Sequence, residues 1–205
     1  MRKSDLLKNH EALDSDFRRY RAFIVKVLGA ERVIKTKAEK RDLAESVLLR
    51  ICACWESFVD EHLVDCVNRD HGKLTEFCAV TIPANPSKSL CQALIIGNGY
   101  LDFKSTGDLV GFSKRVLPTA SNPFLAISKP HRERIDEAFT IRNYLAHYSG
   151  AGTRSLSRLY RTKYRLKRFV EPGAFLMSNG AKRFWTIFEA FEGASAELKK
   201  WCIKS

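Results

Sequence analysis

Apolar side chains recur at three- and four-residue steps along almost the whole chain, and this spacing predicts a protein built from helices. The clearest run is from about Lys37 to about Arg69. There Leu43, Val47, Leu48, Ile51, Cys52, Trp55, Phe58, Val59, Leu63, Cys66 and Val67 form one broad stripe. A second run, from 6 to 28, carries Leu6, Leu7, Leu13, Phe17, Tyr20, Phe23, Ile24, Val27 and Leu28, and Gly29 is placed to end it. Pro83 and Pro86 break any helix near them, and Ser87 is suited to cap a short one through Ile96 that Gly97-Asn98-Gly99 would close. From 99 to 128, Gly107, Gly111, Pro118 and Asn122-Pro123 interrupt the pattern, leaving a connector with one short helix near 108–116. Ser128 to Pro130 opens the next helix, which runs to about Tyr148. A basic helix over 153–169, a break at Glu171-Pro172-Gly173 and a last helix over 180–202 complete the reading. The expected fold is all-α: one domain over 1–205, a bundle of about six helices with its core over about 37–150 and basic C-terminal helices over 151–205.

With 205 residues, 45% hydrophobic and 28% charged, the chain can bury a sizeable core and is not wholly disordered. No apolar run reaches the roughly 18 to 20 residues that cross a bilayer. The first residues have no apolar signal region, so a soluble cytoplasmic protein is expected, with no membrane among its partners. Six cysteines at 52, 54, 66, 78, 91 and 202 form no Cys-x-x-Cys pair, the usage of small buried apolar residues in a reducing compartment. His62 and Cys66, four apart, could bracket a metal, but no second pair stands at ligand spacing, so no metal site is expected. The remaining histidines, 10, 62, 71 and 131, have no neighbours in sequence that suggest a role. Gly97-Asn98-Gly99 lacks the rest of a phosphate-binding or dinucleotide fingerprint, and no cofactor is expected.

Charge is the first functional clue. Lys plus Arg is 35 against 23 for Asp plus Glu, a net of +12. Residues 151–205 hold 12 basic and 4 acidic side chains, so two thirds of the excess lies in the last quarter of the chain. Arg154, Arg158, Arg161, Arg165 and Arg168 step by 4, 3, 4 and 3, which puts them on one helical face. Phosphates would relieve the repulsion along that stripe, and Tyr160 and Tyr164 could stack on unpaired bases. RNA is the expected partner, with a solvated face or an acidic partner as the alternative.

The segment Ile135 to Gly150 carries the chemistry. On a helical wheel, Ala138, Phe139, Ile141, Leu145 and Ala146 form an apolar arc, and Arg142 falls inside it. A guanidinium there needs either a carboxylate partner or a cleft that admits an anion. Glu56, at the edge of its own helix's stripe, is the candidate to orient Arg142. Asn143 and His147, four apart, share one edge. Arginine can hold two phosphate oxygens, histidine can move a proton near neutral pH, and asparagine can orient either group. These are the tools for cleaving an RNA phosphodiester without metal. The plainer alternatives are a structural arginine and a histidine favoured at a helix C-terminus by the dipole. Trp55, Phe58 and Tyr144 read as core or dimer-interface packing.

Arg142-Asn143-Tyr144-Leu145-Ala146-His147 resembles the Arg-x4-6-His signature of the HEPN superfamily, all-α ribonucleases and nucleotide-binding domains. Cys54-Trp55-Glu56-Ser57-Phe58 is similar to the Trp-Glu-x-Phe stretch of a bacterial HEPN branch that includes toxin-like and phage-defence proteins. The resemblance covers roughly residues 40–150. It implies a metal-independent endoribonuclease that works as a homodimer, two motifs facing each other across one cleft. Arg142 and His147 would be the catalytic pair and Asn143 the adjacent polar residue, with Glu56 and Tyr144 in support. Products would be a 2′,3′-cyclic phosphate and a 5′-hydroxyl, and the biological setting a toxin with an antitoxin or other regulatory partner, or an antiviral defence system. Two rivals remain open: a non-catalytic HEPN-like module that binds RNA or nucleotides and dimerises, and a basic nucleic-acid-binding regulator.

Overall fold

A computed structural model describes residues 5–29, 36–96 and 103–204. The Gly97-Asn98-Gly99 stop falls outside them. Among the described residues the chain is helical, with nine α-helices and two 3-10 turns. They are α1 (Leu6–Gly29), α2 (Lys37–Arg69), α3 (Gly72–Cys78), α4 (Lys88–Ile96), α5 (Thr106–Val116), α6 (Lys129–His147), α7 (Gly150–Tyr164), α8 (Pro172–Leu176) and α9 (Ser178–Lys204). The turns, Thr119–Ser121 and Pro123–Ala126, lie between α5 and α6. Among the described residues no helix is long and apolar enough to cross a membrane.

The long helices start and stop where local chemistry dictates. Thr36 caps α2, its hydroxyl accepting from Glu39 N while the Glu39 carboxylate accepts from Thr36 N. Ser128 precedes α6 and Pro130 sits in its first turn. Tyr148 ends α6 in the left-handed conformation (φ 43°), its N–H bonding Tyr144 O at 2.8 Å. Two short helices, α3 and α8, run too few residues to show a period. The connector between 99 and 128 holds α5, whose N-cap is Ser105.

The hub is α2, which packs against α1, α4, α6, α8 and α9. Trp55 lies at its centre, 2% exposed, with its ring edge-to-face on Phe191 of α9 at 5.6 Å and tilted against Phe58 at 5.7 Å. The core extends well beyond 37–150. On α1, Leu6, Leu13, Phe17 and Ile24 are buried, and Phe23 is half exposed. On α9, Phe184, Ile187, Phe188, Phe191, Ala194 and Leu198 are buried, so the last helix packs into the bundle along its apolar face. Polar clamps join the two terminal helices. Arg21 donates two bonds to Glu192, at 3.0 and 2.5 Å, and Lys199 pairs with Asp14 at 2.8 Å.

Helix α6 is held close to α9 by a missing side chain. A Cβ on Gly193 would come within 2.4 Å of the His131 ring, so only glycine permits this approach. Glu197 of α9 then accepts from Ser128 N at 2.9 Å and faces His131 Nδ1 at 3.0 Å. Asp136, further along α6, accepts from Thr106 N at 2.6 Å at the start of α5. These contacts fix the rotation of α6 and so aim the residues at its far end.

Candidate functional site

Rotation of α6 buries Ile135, Ala138, Phe139 and Ile141 and turns Arg142 toward α2. Arg142 Nη2 donates to both carboxylate oxygens of Glu56, at 2.7 and 2.8 Å, and Nη1 donates to Asn143 Oδ1 at 2.9 Å. The carboxylate expected for this guanidinium is therefore present, and it is Glu56. The pair is not sealed: the side chains are 29% and 32% exposed. In such a setting the pair contributes modestly to stability, and its main consequence is orientation. Glu56 can take this position because Trp55, one residue earlier and about 100° round the helix, is anchored in the core.

His147 is the last residue of α6, with an exposed imidazole, beside Tyr148, which is 68% exposed. Ala146, placed on the apolar arc by the wheel, is exposed instead, while Leu145 beside it is buried. Tyr144 is nearly buried, its ring 5.3 Å from that of Tyr148 and 5.4 Å from that of Phe169. Ser149 caps α7, its hydroxyl accepting from Gly152 N at 3.1 Å, so Gly150 and Gly152 begin the next helix and do not merely end the last. The result is a two-residue turn, Tyr148-Ser149, that folds α7 back along α6.

The basic stripe is shorter than its spacing predicts. Helix α7 ends at Tyr164, and Arg165 takes the left-handed cap conformation (φ 52°). Arg154, Arg158 and Arg161 are exposed on α7, whereas Arg165 and Arg168 are exposed on the loop that follows. Arg161, Lys167 and Arg168 share a surface cleft of about 290 Å³ with Ser157, Leu166 and Phe169. Phe169 is 37% exposed and touches both Tyr144 and Tyr160. It therefore joins the basic cleft to the α6 motif.

The two tyrosines expected to stack on bases cannot do so. Tyr160 is 1% exposed, packed on Phe175 at 4.5 Å. Tyr164 donates its hydroxyl to Glu137, receives a bond from Arg134 at 2.8 Å, and has its ring covered by the Arg183 guanidinium at 5.0 Å. Helix α8, absent from the periodicity, supplies the Phe175 that covers this face. The Tyr160 hydroxyl is buried without a hydrogen-bond partner, which costs stability. Tyr160→Phe is expected to leave RNA binding unchanged and to raise unfolding stability by up to about 1–3 kcal/mol. Urea unfolding and a fluorescence RNA titration check both. A large loss of RNA affinity would restore Tyr160 as a base contact.

Sequence inspection missed three further groups. Asp60 lies one turn beyond Glu56 on α2, and burial, followed by the Glu56 and Glu61 charges, pushes its carboxyl up to about 6. The i, i+4 spacing of Glu56 and Asp60 on α2 is the sequence signal that puts the two carboxylates on one face. Glu137, 3% exposed, is a buried carboxylate serving Arg134, Lys163 and Tyr164, a network that ties α6 to α7. Finally, His62 is not grouped with Cys66 as its spacing suggested. It meets His10 and Cys202, residues that only the tertiary fold brings together. No protein-family model, curated protein or solved structure matches this chain.

Proposed function

We propose that this protein is a metal-independent endoribonuclease of the HEPN type, acting as a homodimer. The observation that carries the reading is the constellation on α6: Arg142 held by Glu56 and Asn143, with an exposed His147 five residues on. Carboxylate orientation leaves part of the guanidinium free to meet a phosphate. Five residues along a helix turn through about 140°, so Arg142 and His147 of one copy diverge. A second copy, facing the first across the exposed His147–Tyr148 surface, would supply the complementary group. This geometry supports a composite site better than a site within one chain.

In the proposed reaction, one His147 takes the proton from a ribose 2′-hydroxyl, whose oxygen attacks the adjacent phosphorus. The bond to the 5′-oxygen breaks, and the partner's His147 returns a proton to that leaving oxygen. The product ends are a 2′,3′-cyclic phosphate and a 5′-hydroxyl. Arg142 offsets charge on the non-bridging oxygens. Exposed Arg154, Arg158, Arg161, Arg165 and Arg168 guide the strand by its phosphates, and Phe169 offers the aromatic face that Tyr160 and Tyr164 do not. The setting we propose is a cytoplasmic toxin or phage-defence effector with an antitoxin or other regulator as partner.

One observation favours a second reading. Glu56 and Asn143 already take three hydrogen bonds from Arg142, as a structural arginine would show, and a non-catalytic RNA-binding module would need no more. The experiment that separates them incubates the purified protein with RNA in EDTA, with helical content followed by circular dichroism. Cleavage that persists with the chelator, ends in a cyclic phosphate and falls by at least about 100-fold in His147→Ala supports the enzyme. RNA binding with no cleavage by the folded wild type rejects it.

A further inference from the structure

Three side chains from three helices converge away from the chemistry proposed for α6. His10 of α1 and His62 of α2 are fully buried, their rings edge to face with centroids 4.8 Å apart. Cys202 of α9 faces both: its Sγ lies 3.7 Å from His62 Nε2 and 3.9 Å from His10 Nε2. One donor atom from each residue fits within 4.8 Å of the other two. Both Nδ1 atoms are buried with no hydrogen-bond partner. The other two ring nitrogens, His10 Nε2 and His62 Nε2, both face the Cys202 sulfur, where a histidine placed only for packing would bond a carbonyl or carboxylate. Here each ring nitrogen on offer has at best a weak sulfur contact, and two such rings sit side by side.

The spacing suits a cation between them. Zinc lies about 2.0–2.1 Å from a histidine nitrogen and about 2.3 Å from a cysteine sulfur. Those bonds separate nitrogen from sulfur by about 3.6 Å at a tetrahedral angle and about 3.8 Å at a trigonal one. The two observed separations, 3.7 and 3.9 Å, lie close to that range. Imidazole and thiolate are the donor set of zinc and its transition-metal neighbours, not of magnesium or calcium. The nearest open space is close by. A surface cavity of about 470 Å³ is lined by Leu6, Cys66 and Trp201, one turn from His10, one turn from His62 and adjacent to Cys202.

We propose that His10, His62 and Cys202 form a three-ligand site for a zinc-class metal ion that joins α1 and α9 to α2. On binding, the Cys202 thiol loses its proton to solvent and the sulfur bonds the metal. Both imidazoles bind through Nε2, which leaves one coordination position for water. This site is independent of RNA cleavage, so its test does not use activity.

Cobalt(II) is the probe, titrated into the chelator-stripped full-length protein. Expected are one ion per chain, a near-ultraviolet sulfur-to-cobalt charge-transfer absorption and its loss on adding zinc. Cys202→Ser removes the absorption, Cys66→Ser keeps it, and His62→Ala weakens binding by at least about tenfold. Zinc-edge X-ray absorption on the wild type, which needs no variant to fold, is expected to show one sulfur and two imidazole nitrogens. Absence of the charge-transfer band, its survival in folded Cys202→Ser, or a zinc shell without sulfur overturns the proposal.

Discussion

Arg142→Ala is expected to lower RNA cleavage by about two to three orders of magnitude while leaving the fold nearly as stable as before. The first part follows from transition-state charge. Removing one preorganised donor from a developing oxyanion costs about 2.7–4 kcal/mol of barrier, which is a rate loss of that size. The second follows from exposure. Glu56, left alone, is 32% exposed, so water replaces the lost guanidinium and the stability change stays near 1 kcal/mol or below. A sealed pair would instead cost 3–5 kcal/mol. Arg142→Lys keeps the charge but loses the second nitrogen that holds Asn143 while the first holds Glu56, so it should recover only part of the activity. If Glu56 acts by orienting Arg142, Glu56→Gln and Arg142→Lys will not add in a double-mutant cycle. Single-turnover cleavage of a labelled RNA, read beside urea unfolding, measures both quantities. Full activity in Arg142→Ala would reduce this arginine to a structural role and remove the catalytic proposal with it.

Trp55→Ala is expected to destabilise the protein by about 3–5 kcal/mol, the largest stability loss from any single truncation proposed here. Its indole is 2% exposed and lies where α2 meets α9, against Phe191 and Phe58. Loss of the ring leaves a cavity that two long helices cannot both collapse to fill. Because Glu56 follows Trp55 directly, a shift of α2 here would also move the carboxylate that holds Arg142. Trp55→Phe, which retains most of the volume, should cost less than half as much and keep the Glu56–Arg142 pair. The urea midpoint checks the first claim. A loss under 1 kcal/mol in Trp55→Ala would show that α9 does not lean on α2 at this point.

Motif and scaffold differ in how much of them can be read from the chain. Helix α6 begins at Ser128-Lys129-Pro130 and stops at Tyr148, both visible in sequence, because caps and prolines act on their own neighbours. The pairing of Glu56 with Arg142 was also legible, since Arg142 falls inside an apolar arc and needs a carboxylate, and Glu56 stands at the edge of its own stripe. The fate of α7 was not. Its arginine spacing continues smoothly past residue 164, and nothing in Arg165 to Phe169 marks the left-handed cap that ends the helix. Tyr160 and Tyr164 look like surface aromatics on a basic helix until Phe175 and Arg183 arrive from α8 and α9 to cover them.

Taken alone, the chain determined its long helices, their apolar stripes and the Arg142-to-His147 segment, because each is set by residues within one or two turns of one another. Which stripe faces which helix was decided only by tertiary packing. That packing buries Tyr160, brings α9 into the core and joins His10, His62 and Cys202 across the length of the sequence. The reason is range. Capping and periodicity are local interactions, whereas the burial of any one face depends on every other helix competing for the same core.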